Sequence, residues 1–268
     1  MKYFYHETDA KQFNLYPFVC WHIGAAQADV KFIKRMVKMC ADDPLGRWVY
    51  MGDGGECATK ISKGDVYSQT MNLSEQQNEL KRLIEPVKDK GLFGIRGNHG
   101  NRVYKETGLD FDETLCAKLG IPYLGVDAYW NLRLGANSGN PVDFSIYTHH
   151  GTDSGVGVGS KINAAQKFDR TIIADAILSA HSHIAIELPP RYYAIIGSKR
   201  RQSDNIVWKE TREYVCGSAY DSRTGYAAEK GYPPILPSHL KISFGIGRDD
   251  ADRRVGRQSS EVFRPDSI

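Results

Sequence analysis

The chain has 268 residues, of which 41% are hydrophobic and 25% charged, and its formal net charge is +3. This composition is typical of a globular protein and excludes disorder as the main description, because the apolar fraction is high and the charges are balanced. No apolar run approaches the roughly 18 residues of a membrane-spanning helix, and no apolar block resembles a secretory signal, so we expect a cytoplasmic protein without a membrane partner.

The first part of the chain alternates predicted strands and helices. The pattern predicts strands at 16–22, 48–51 and 91–95, a helix at 30–40, and a second helix that opens with a capping box of Ser74 and Gln77. Glycine and polar residues mark the turns at the strand ends. This alternation indicates an α/β fold with parallel strands.

The second part continues this pattern and then changes in texture. A helix is predicted at 112–119, strands at 122–124, 142–148 and 176–180, and another helix around Ala164, Ala165 and Phe168, after a glycine-rich loop at 151–160. Short β-branched and aromatic runs at 192–196, 206–208, 213–216 and 240–244 indicate antiparallel strands. We expect one domain over residues 1–247, followed by a polar tail at 248–268.

Polar side chains follow five of the predicted strands. They are Cys20 and His22, Asp53 and Glu56, Asn98 and His99, His149 and His150, and His181 and His183. One histidine at a strand end is usually structural, but six of the eight histidines fall in these clusters. Ligands bind where the loops gather at the carboxyl ends of strands in an open α/β sheet. Imidazole, carboxylate and amide oxygen suit Zn, Mn or Fe, and two such ions can hydrolyse phosphate esters.

The five clusters resemble, in order, the motifs of the calcineurin-like metallophosphoesterase superfamily. Its pattern is D-x-H, G-D-x-x-D/E, G-N-H-E/D, H-G and G-H-x-H. The chain carries Cys20-x-His22, Gly52-Asp53-x-x-Glu56, Gly97-Asn98-His99-Gly100, His150-Gly151 and Ala180-His181-x-His183. The resemblance implies a four-layer αββα sandwich of two mixed sheets with flanking helices. The His-His-Gly block is also similar to that of phage-encoded members.

The resemblance also implies a role for each motif residue. Two divalent ions (Mn, Zn or Fe) would share Asp53, and a metal-activated hydroxide would attack the phosphorus. The first ion would take Cys20, His22 and His183, and the second Asn98, His150 and His181. His99, held by Glu56, would donate a proton to the leaving oxygen or neutralise charge on the phosphoryl group.

The chain departs from the family pattern at three positions. Cys20 replaces the usual aspartate, Gly100 replaces an acidic residue that often follows Asn-His, and Ala180 replaces the glycine before His181. A thiolate at Cys20 would favour Zn or Fe, whereas a small buried thiol would leave the first site weak or empty. The sequence leaves both interpretations of Cys20 open.

Three further residues are candidates for binding the substrate. Arg102 and Lys161 lie close in sequence to the motifs and could hold the phosphate group, and His149 stands beside His150. The glycine-rich loop could be a flap over the metals or a plain connection.

The sequence therefore predicts a metal-dependent hydrolase of phosphate esters. We expect a phosphodiesterase or nuclease that acts on a nucleotide or nucleic acid, although a net charge of +3 is small for an enzyme that grips a duplex. A phosphomonoesterase, a protein phosphatase, and a catalytically impaired, metal-poor binding module remain alternatives.

Overall fold

The computed structural model describes residues 1–60, 62, 66–152, 155, 157–168, 171–196, 206–248 and 254–265. The strands are β1 (Lys2–Thr8), β2 (Gln12–Phe18), β3 (Gly46–Tyr50), β4 (Gly91–Gly94), β5 (Asp127–Leu134), β6 (Val142–His149), β7 (Ala176–Ser179), β8 (Ala185–Glu187), β9 (Arg191–Ile196), β10 (Ile206–Ser218), β11 (Ser238–Arg248) and β12 (Arg254–Phe263). The α-helices are α1 (Val30–Asp42), α2 (Leu73–Ile84), α3 (Asn98–Thr107), α4 (Phe111–Leu119), α5 (Val158–Ala165) and α6 (Gly225–Glu229). Among these described residues, no helix has both the length and the apolarity needed to cross a membrane.

The strands form two mixed sheets that share one strand. The first sheet has the order β1-β5-β6-β7-β10, with β8 antiparallel to β10, and the second has the order β12-β11-β2-β3-β4. In the middle of β10, Arg212–Val215 pair with β7, whereas Gly217 and Ser218 at its end pair with β11. Strand β10 therefore holds the two sheets together at one edge.

The two sheets pack face to face around the main apolar core. Alternate residues of β5 (Ala128, Trp130, Leu132 and Leu134) are buried, as expected for a strand with one face toward a core. From the second sheet, Phe93 of β4 and Phe244 of β11 belong to the same cluster. The buried aromatic rings of this layer account for much of the apolar surface removed from water.

Helices cover the outer faces of both sheets. On the second sheet, Trp48 and Tyr50 of β3 point away from the inter-sheet core and pack beneath α1, α2 and α4. On the first sheet, Ala165 of α5 packs with Val215 and Leu188. The order of layers is helix, sheet, sheet, helix, so the predicted four-layer α/β sandwich is confirmed.

Several predicted elements are shifted. Strand β2 ends at Phe18 rather than at residue 22, because Cys20 and His22 have positive φ angles that a strand cannot continue. The capping box of α2 consists of Asn72 and Glu75 rather than Ser74 and Gln77. Asn72 accepts a hydrogen bond from the Glu75 backbone and donates its own N–H to the Glu75 carboxylate, and asparagine is as strong an N-cap as serine.

Other differences concern whole elements. Residues 122–124 form one isolated bridge to β4 instead of a strand, the predicted strands 206–208 and 213–216 are one strand, and Phe168 follows α5 in a turn. Strands β1, β5, β8 and β12 and helices α3 and α6 were not predicted. Residues 153, 154 and 156 of the glycine-rich loop lie outside the described residues.

The C-terminal segment contains a strand where a polar tail was expected. Residues 254–263 form β12, which pairs antiparallel with β11 from His239 to Arg248. Its side chains also reach the first sheet: Gln258 donates a hydrogen bond to the Asp175 carbonyl, and Ser260 donates one to the Glu187 carboxylate. The expectation of a tail is therefore wrong for these residues, because alternate polar side chains of β12 are hydrogen-bonded to a second sheet.

A variant that ends after Arg248 should lose stability. It lacks three side-chain hydrogen bonds between β12 and the first sheet, those of Gln258 and Ser260 and that of Tyr214 to Gln258, which at about 1 kcal/mol each give a loss of about 3 kcal/mol before the ladder is counted. Urea unfolding followed by circular dichroism measures the loss. A variant that ends after Arg264 keeps β12 and should unfold at the wild-type midpoint. Equal midpoints for both truncations would contradict the prediction.

Candidate metal centre

The candidate residues lie on loops that follow the strands of both sheets. Cys20 and His22 follow β2, Asp53 follows β3, and Asn98 opens α3 shortly after β4. Strands β2, β3 and β4 are mutually parallel, so their carboxyl ends lie at one edge of the second sheet. The first sheet contributes the residues after β6 and β7, which are also parallel neighbours: His150, His181 and His183. The structure thus brings all five motifs together.

Left-handed backbone conformations concentrate in these loops. Six described residues other than glycine have positive φ angles, and five of them are predicted ligands: Cys20 (50°), His22 (51°), Asp53 (54°), His181 (64°) and His183 (59°). Each such conformation costs on the order of 1 kcal/mol and persists only where the surrounding structure imposes it. The strain is therefore located where the side chains converge.

Two glycines allow the Asp53 loop to touch the Asn98 loop. A Cβ on Gly52, whose φ is +84°, would collide with the backbone of Gly97. A Cβ on Gly97 would collide with the Asp53 carboxylate. Only glycine fits at both positions, which explains the Gly-Asp and Gly-Asn-His pairs in the two motifs.

The side-chain donor atoms form overlapping groups. In each group, one donor atom from every residue lies within 4.8 Å of the others, and the groups are Cys20, His22 and His183; Cys20, Asp53 and His150; and His22, Asp53 and His99. All are buried or half-buried. Asn98 joins them through its Oδ1, which lies 3.0 Å from His150 Nε2, and the His181 ring centroid lies 5.5 Å from that of His150.

The hydrogen bond of His150 to the backbone shows that its Nδ1 carries a proton. Nδ1 lies 2.6 Å from the Met51 carbonyl oxygen, which can only accept, so Nδ1 carries the proton. In the neutral ring, Nε2 then has a lone pair that faces Asn98 Oδ1 at 3.0 Å and Asp53 Oδ2 at 2.9 Å. These three acceptor atoms face one another, so a proton or a metal cation must lie between them. A backbone acceptor behind a metal-binding histidine is the usual arrangement in metalloproteins.

His22 shows the same arrangement. Its Nδ1 lies 3.0 Å from the Glu56 carboxylate and donates to it, so Nε2 presents a lone pair to His183 Nε2 at 3.1 Å. Burial, reinforced by the neighbouring imidazoles, holds the pKa of His183 well below its usual value. Without a metal, a neutral His183 can donate its Nε2 proton to this lone pair, and a metal cation bound by both Nε2 atoms would take the place of that proton.

The charge of Asp53 is maintained despite complete burial. Burial alone would raise its pKa, but the imidazoles of His150, His99 and His22 hold the pKa of this carboxyl well below its usual value. Against the same burial, Asp53 raises the pKa of His150. An ionised carboxylate and neutral imidazoles are the donor types that a divalent metal takes, and a cation bound here would displace any proton held at Nε2 of His150.

His99 is held differently from the expectation. Its Nδ1 donates to the Glu56 carbonyl oxygen at 2.6 Å, while the Glu56 carboxylate lies 3.6 Å away and is hydrogen-bonded to His22. The backbone N–H of His99 donates to Asp53 Oδ1 at 2.8 Å. Asp53 thus provides the cap at the start of α3 that no side chain of its own N-cap residue supplies.

The three predicted substrate-binding residues have different environments. His149 accepts a hydrogen bond from the Gly151 N–H and packs on Phe168, and burial lowers its pKa to about 4. Lys161 donates to the Ser182 carbonyl and so connects α5 to the loop of His181 and His183. Arg102 is half-buried one turn after His99, forms no hydrogen bond or ion pair within the described chain, and acts electrostatically on Glu56 and His99. Arg102 alone of the three has an uncommitted side chain.

The structure adds Tyr220 to the residues predicted from the sequence. Its ring lies 5.3 Å from that of His22 and 5.8 Å from that of His183, measured between centroids. Tyr220 follows the end of β10, and its backbone N–H donates to Ser218, whose hydroxyl donates to the Cys20 carbonyl. The only sequence signal was its position four residues after the predicted strand 213–216.

Asp112 and Tyr50 form a second unpredicted feature beneath the site. The Tyr50 hydroxyl donates to Asp112 Oδ1 at 2.6 Å and accepts from the Gly54 N–H, and the Gly97 N–H donates to Asp112 Oδ2 at 3.0 Å. This pair joins the Asp53 loop to the Asn98 loop. A Cβ on Gly100 would collide with Asp112, so this position has no room for the acidic residue of the family pattern.

Comparisons with known proteins add little to this geometry. No family model and no curated protein matches the chain. Among solved structures, Vps29 from Chaetomium thermophilum is 13% identical with a TM-score of 0.38, covering 96% of this chain and 98% of that chain. A single mutant of Vps29 from Entamoeba histolytica is 11% identical with a TM-score of 0.41, covering 94% and 100%. Vps29 from Chaetomium thermophilum with a cyclic peptide is 12% identical with a TM-score of 0.34, covering 94% and 97%.

Similarities this weak carry no argument about the activity of this chain. The relationship to the metallophosphoesterases remains a resemblance that rests on the five motifs.

Gly97→Ala should disrupt the metal centre. The new Cβ would overlap the Asp53 carboxylate, so the two loops must separate, and we expect at least a tenfold weaker affinity for a divalent cation, the size of effect seen when a ligand loses its support. Calorimetric titration with Zn²⁺ measures the affinity. Gly139→Ala is the control, because a Cβ there meets nothing within 4 Å and should leave the affinity unchanged. Equal affinities in both variants would contradict the close approach of the loops.

Asp112→Asn should change how stability depends on pH. Burial raises the pKa of Asp112 from 3.8 to about 7, so between these values the folded state holds a proton that the unfolded chain has lost. The contribution of Asp112 to stability is therefore present at low pH and falls as pH rises from about 4 to 7. In chelator, the wild-type free energy of unfolding minus that of the variant should decrease over this interval. A constant difference would show that Asp112 is ionised in the folded protein.

Proposed function

We propose that this protein is a metal-dependent hydrolase of phosphate esters. The observation that carries the proposal is the cluster of donor atoms around the ionised carboxylate of Asp53: His22 and His150 lie beside Asp53, with His183 next to His22 and Asn98 next to His150. His22 donates its Nδ1 proton to the Glu56 carboxylate, and His150 donates its Nδ1 proton to the Met51 carbonyl. These hydrogen bonds orient both rings so that Nε2 can act as a ligand.

The donor atoms divide between two cations that share Asp53. Cys20, His22 and His183 would hold one cation, and Asn98, His150 and His181 the other, as the family resemblance implies. Zn, Mn and Fe all accept imidazole and carboxylate ligands. When bound, the two cations would supply Lewis acidity toward the phosphoryl oxygens and toward water.

His99 is the residue proposed to handle the leaving-group proton. Its Nδ1 is fixed on the Glu56 carbonyl, and Nε2 lies 3.9 Å from Asp53 Oδ2, at the edge of the ligand cluster. Burial lowers the pKa of His99 to about 4, so the ring is neutral at pH 7 before substrate binds. A bound phosphate anion would raise this pKa, so protonation of Nε2 would accompany substrate binding.

For the substrate we propose a phosphate diester of the nucleotide or nucleic-acid class. A diester carries one negative charge. Among the described residues, the guanidinium of Arg102 has no hydrogen-bond or ion-pair partner and influences His99 and Glu56 electrostatically. Beyond the metals, this single cation suits the charge of a diester better than the two charges of a monoester. Tyr220 offers an aromatic face beside His22 for a base or another organic group.

Hydrolysis assays on metal-depleted and metal-reloaded protein test the proposal. Turnover of bis(p-nitrophenyl) phosphate should require added Zn²⁺, Mn²⁺ or Fe²⁺ and should exceed turnover of p-nitrophenyl phosphate. A single-stranded oligonucleotide then tests for nuclease activity. Faster turnover of the monoester would favour a phosphatase, and bound metal without turnover of any substrate would favour a binding module.

Two substitutions separate metal binding from proton transfer. Asp53→Asn should remove both metal and turnover, whereas His99→Gln should reduce kcat by roughly a hundredfold or more with the metal content unchanged. Elemental analysis and steady-state kinetics measure the two properties. His6→Gln is the control, since His6 of β1 packs on Phe13 of β2 and belongs to none of the donor groups among the described residues. Loss of metal from His99→Gln would show that His99 is a ligand and not a proton donor.

A further inference from the structure

The two halves of the candidate centre differ in the softness of their donors. Asn98, His150 and His181 offer oxygen and nitrogen, whereas the other half contains the sulfur of Cys20 beside His22 and His183. Thiolate ligands favour cations such as Zn²⁺, whereas carbonyl and carboxylate oxygens suit Mn²⁺ and Mg²⁺. The position of the sulfur therefore decides which cations the first half can hold.

The backbone of Cys20 is fixed on both sides. Its N–H donates to the Gly52 carbonyl at 3.2 Å, and its own carbonyl accepts from the Ala219 N–H at 3.0 Å and from the Ser218 hydroxyl at 2.8 Å. These bonds hold the residue at a φ of 50°, which a cysteine does not adopt without cause. This strained backbone conformation sets the direction of the Cys20 side chain.

The side chain of Cys20 points toward the other candidate metal-binding atoms. The Cys20 sulfur belongs to two groups of mutually close donor atoms, one with His22 and His183 and one with Asp53 and His150. Burial and the nearby Asp53 carboxylate raise the pKa of the Cys20 thiol, and the backbone of His181 acts in the opposite direction. A divalent cation that coordinates a thiol deprotonates it outright. Backbone hydrogen bonds to sulfur are a regular feature of metal-bound thiolates and tune their charge.

A second cysteine in the same region provides a comparison within the chain. Cys57 is also fully buried and also has a φ of 50°, one residue after Glu56. Its sulfur packs against Gly55 and belongs to none of the donor groups found among the described residues. Burial and backbone strain alone therefore do not place a thiol in the centre, and Cys20 is distinguished by its neighbours.

We propose that Cys20 is a thiolate ligand and that the half-site of Cys20, His22 and His183 selects Zn²⁺, or a cation of similar affinity for sulfur, over Mn²⁺ and Mg²⁺. With Asp53, these residues supply one sulfur, two nitrogens and one oxygen, the donor types and number that Zn²⁺ takes in proteins. The inference rests on the proposed function only for the presence of a metal site, not for the reaction.

Cobalt spectroscopy tests the ligand. Metal-depleted, reduced protein titrated with Co²⁺ should develop a near-ultraviolet thiolate-to-cobalt charge-transfer band that Cys20→Ser lacks and Cys57→Ser retains. Circular dichroism of each metal-free variant establishes that it folds. Bound Co²⁺ without the band in wild type, or an undiminished band in folded Cys20→Ser, would overturn the proposal and leave the proposed hydrolase intact.

Metal competition tests the selectivity. Zn²⁺ exceeds Mn²⁺ in most nitrogen and oxygen sites, so the informative quantity is the change between variants. After dialysis against both ions, Cys20→Asp should lower the ratio of bound Zn²⁺ to bound Mn²⁺ at least tenfold relative to wild type, whereas Cys57→Ser should not change it. An unchanged ratio in a folded Cys20→Asp protein would also overturn the proposal. Failure of wild type to bind any cation would instead remove the metal-dependent function itself.

Discussion

The ionised carboxylate of Asp53 is the group on which the site depends. One of its oxygens accepts the His99 N–H that begins α3, and the other lies 2.9 Å from His150, which comes from the opposite sheet. A buried charge of this kind is costly unless positive charge surrounds it. The imidazoles that lower the pKa of Asp53 are the same groups that face its proposed cations, so folding and ligand binding depend on one electrostatic balance.

The rigidity of the sandwich makes the strained loops possible. The five candidate ligands with left-handed backbone conformations together cost several kcal/mol, on the order of the net stability of an ordinary domain. The inter-sheet core, with Trp130 at 0% exposed and Phe244 at 1%, provides the compensating burial. The close contact between Gly52 and Gly97 then constrains the backbone of both loops. A less densely packed fold would relax these loops and disperse the ligands.

Sequence reasoning succeeded where chemistry is carried by residue type and order. The motif residues are polar groups placed after apolar strands, and parallel strands bring such ends to one edge, so Asp53, Asn98 and His150 could be predicted together. It failed where the partner is distant in sequence. Glu56 was expected to hold His99 and does so through its carbonyl oxygen, but nothing in the sequence indicates that its carboxylate accepts a hydrogen bond from His22, 34 residues away. The contacts of Asp112 with Tyr50 and of Tyr220 with His22 are equally hidden.

The missed strands have different causes. Strand β5 carries a plain alternation, with Ala128, Trp130, Leu132 and Leu134 buried, and its signal was present in the sequence. Strand β12 has none, because its side chains are half-buried or exposed and several of its contacts are polar. At the level of single residues, His149 and His150 differ only by the alternation of a strand: His149 packs on Phe168, whereas the next residue faces Asn98 and Asp53. Cys20 and Cys57 are likewise distinguished by the atoms that their side chains face and not by residue type. Among the described residues, the sulfur of Cys20 lies beside donor atoms of His22, His183, Asp53 and His150, whereas that of Cys57 belongs to no such group, so Cys20 alone of the two is the proposed ligand.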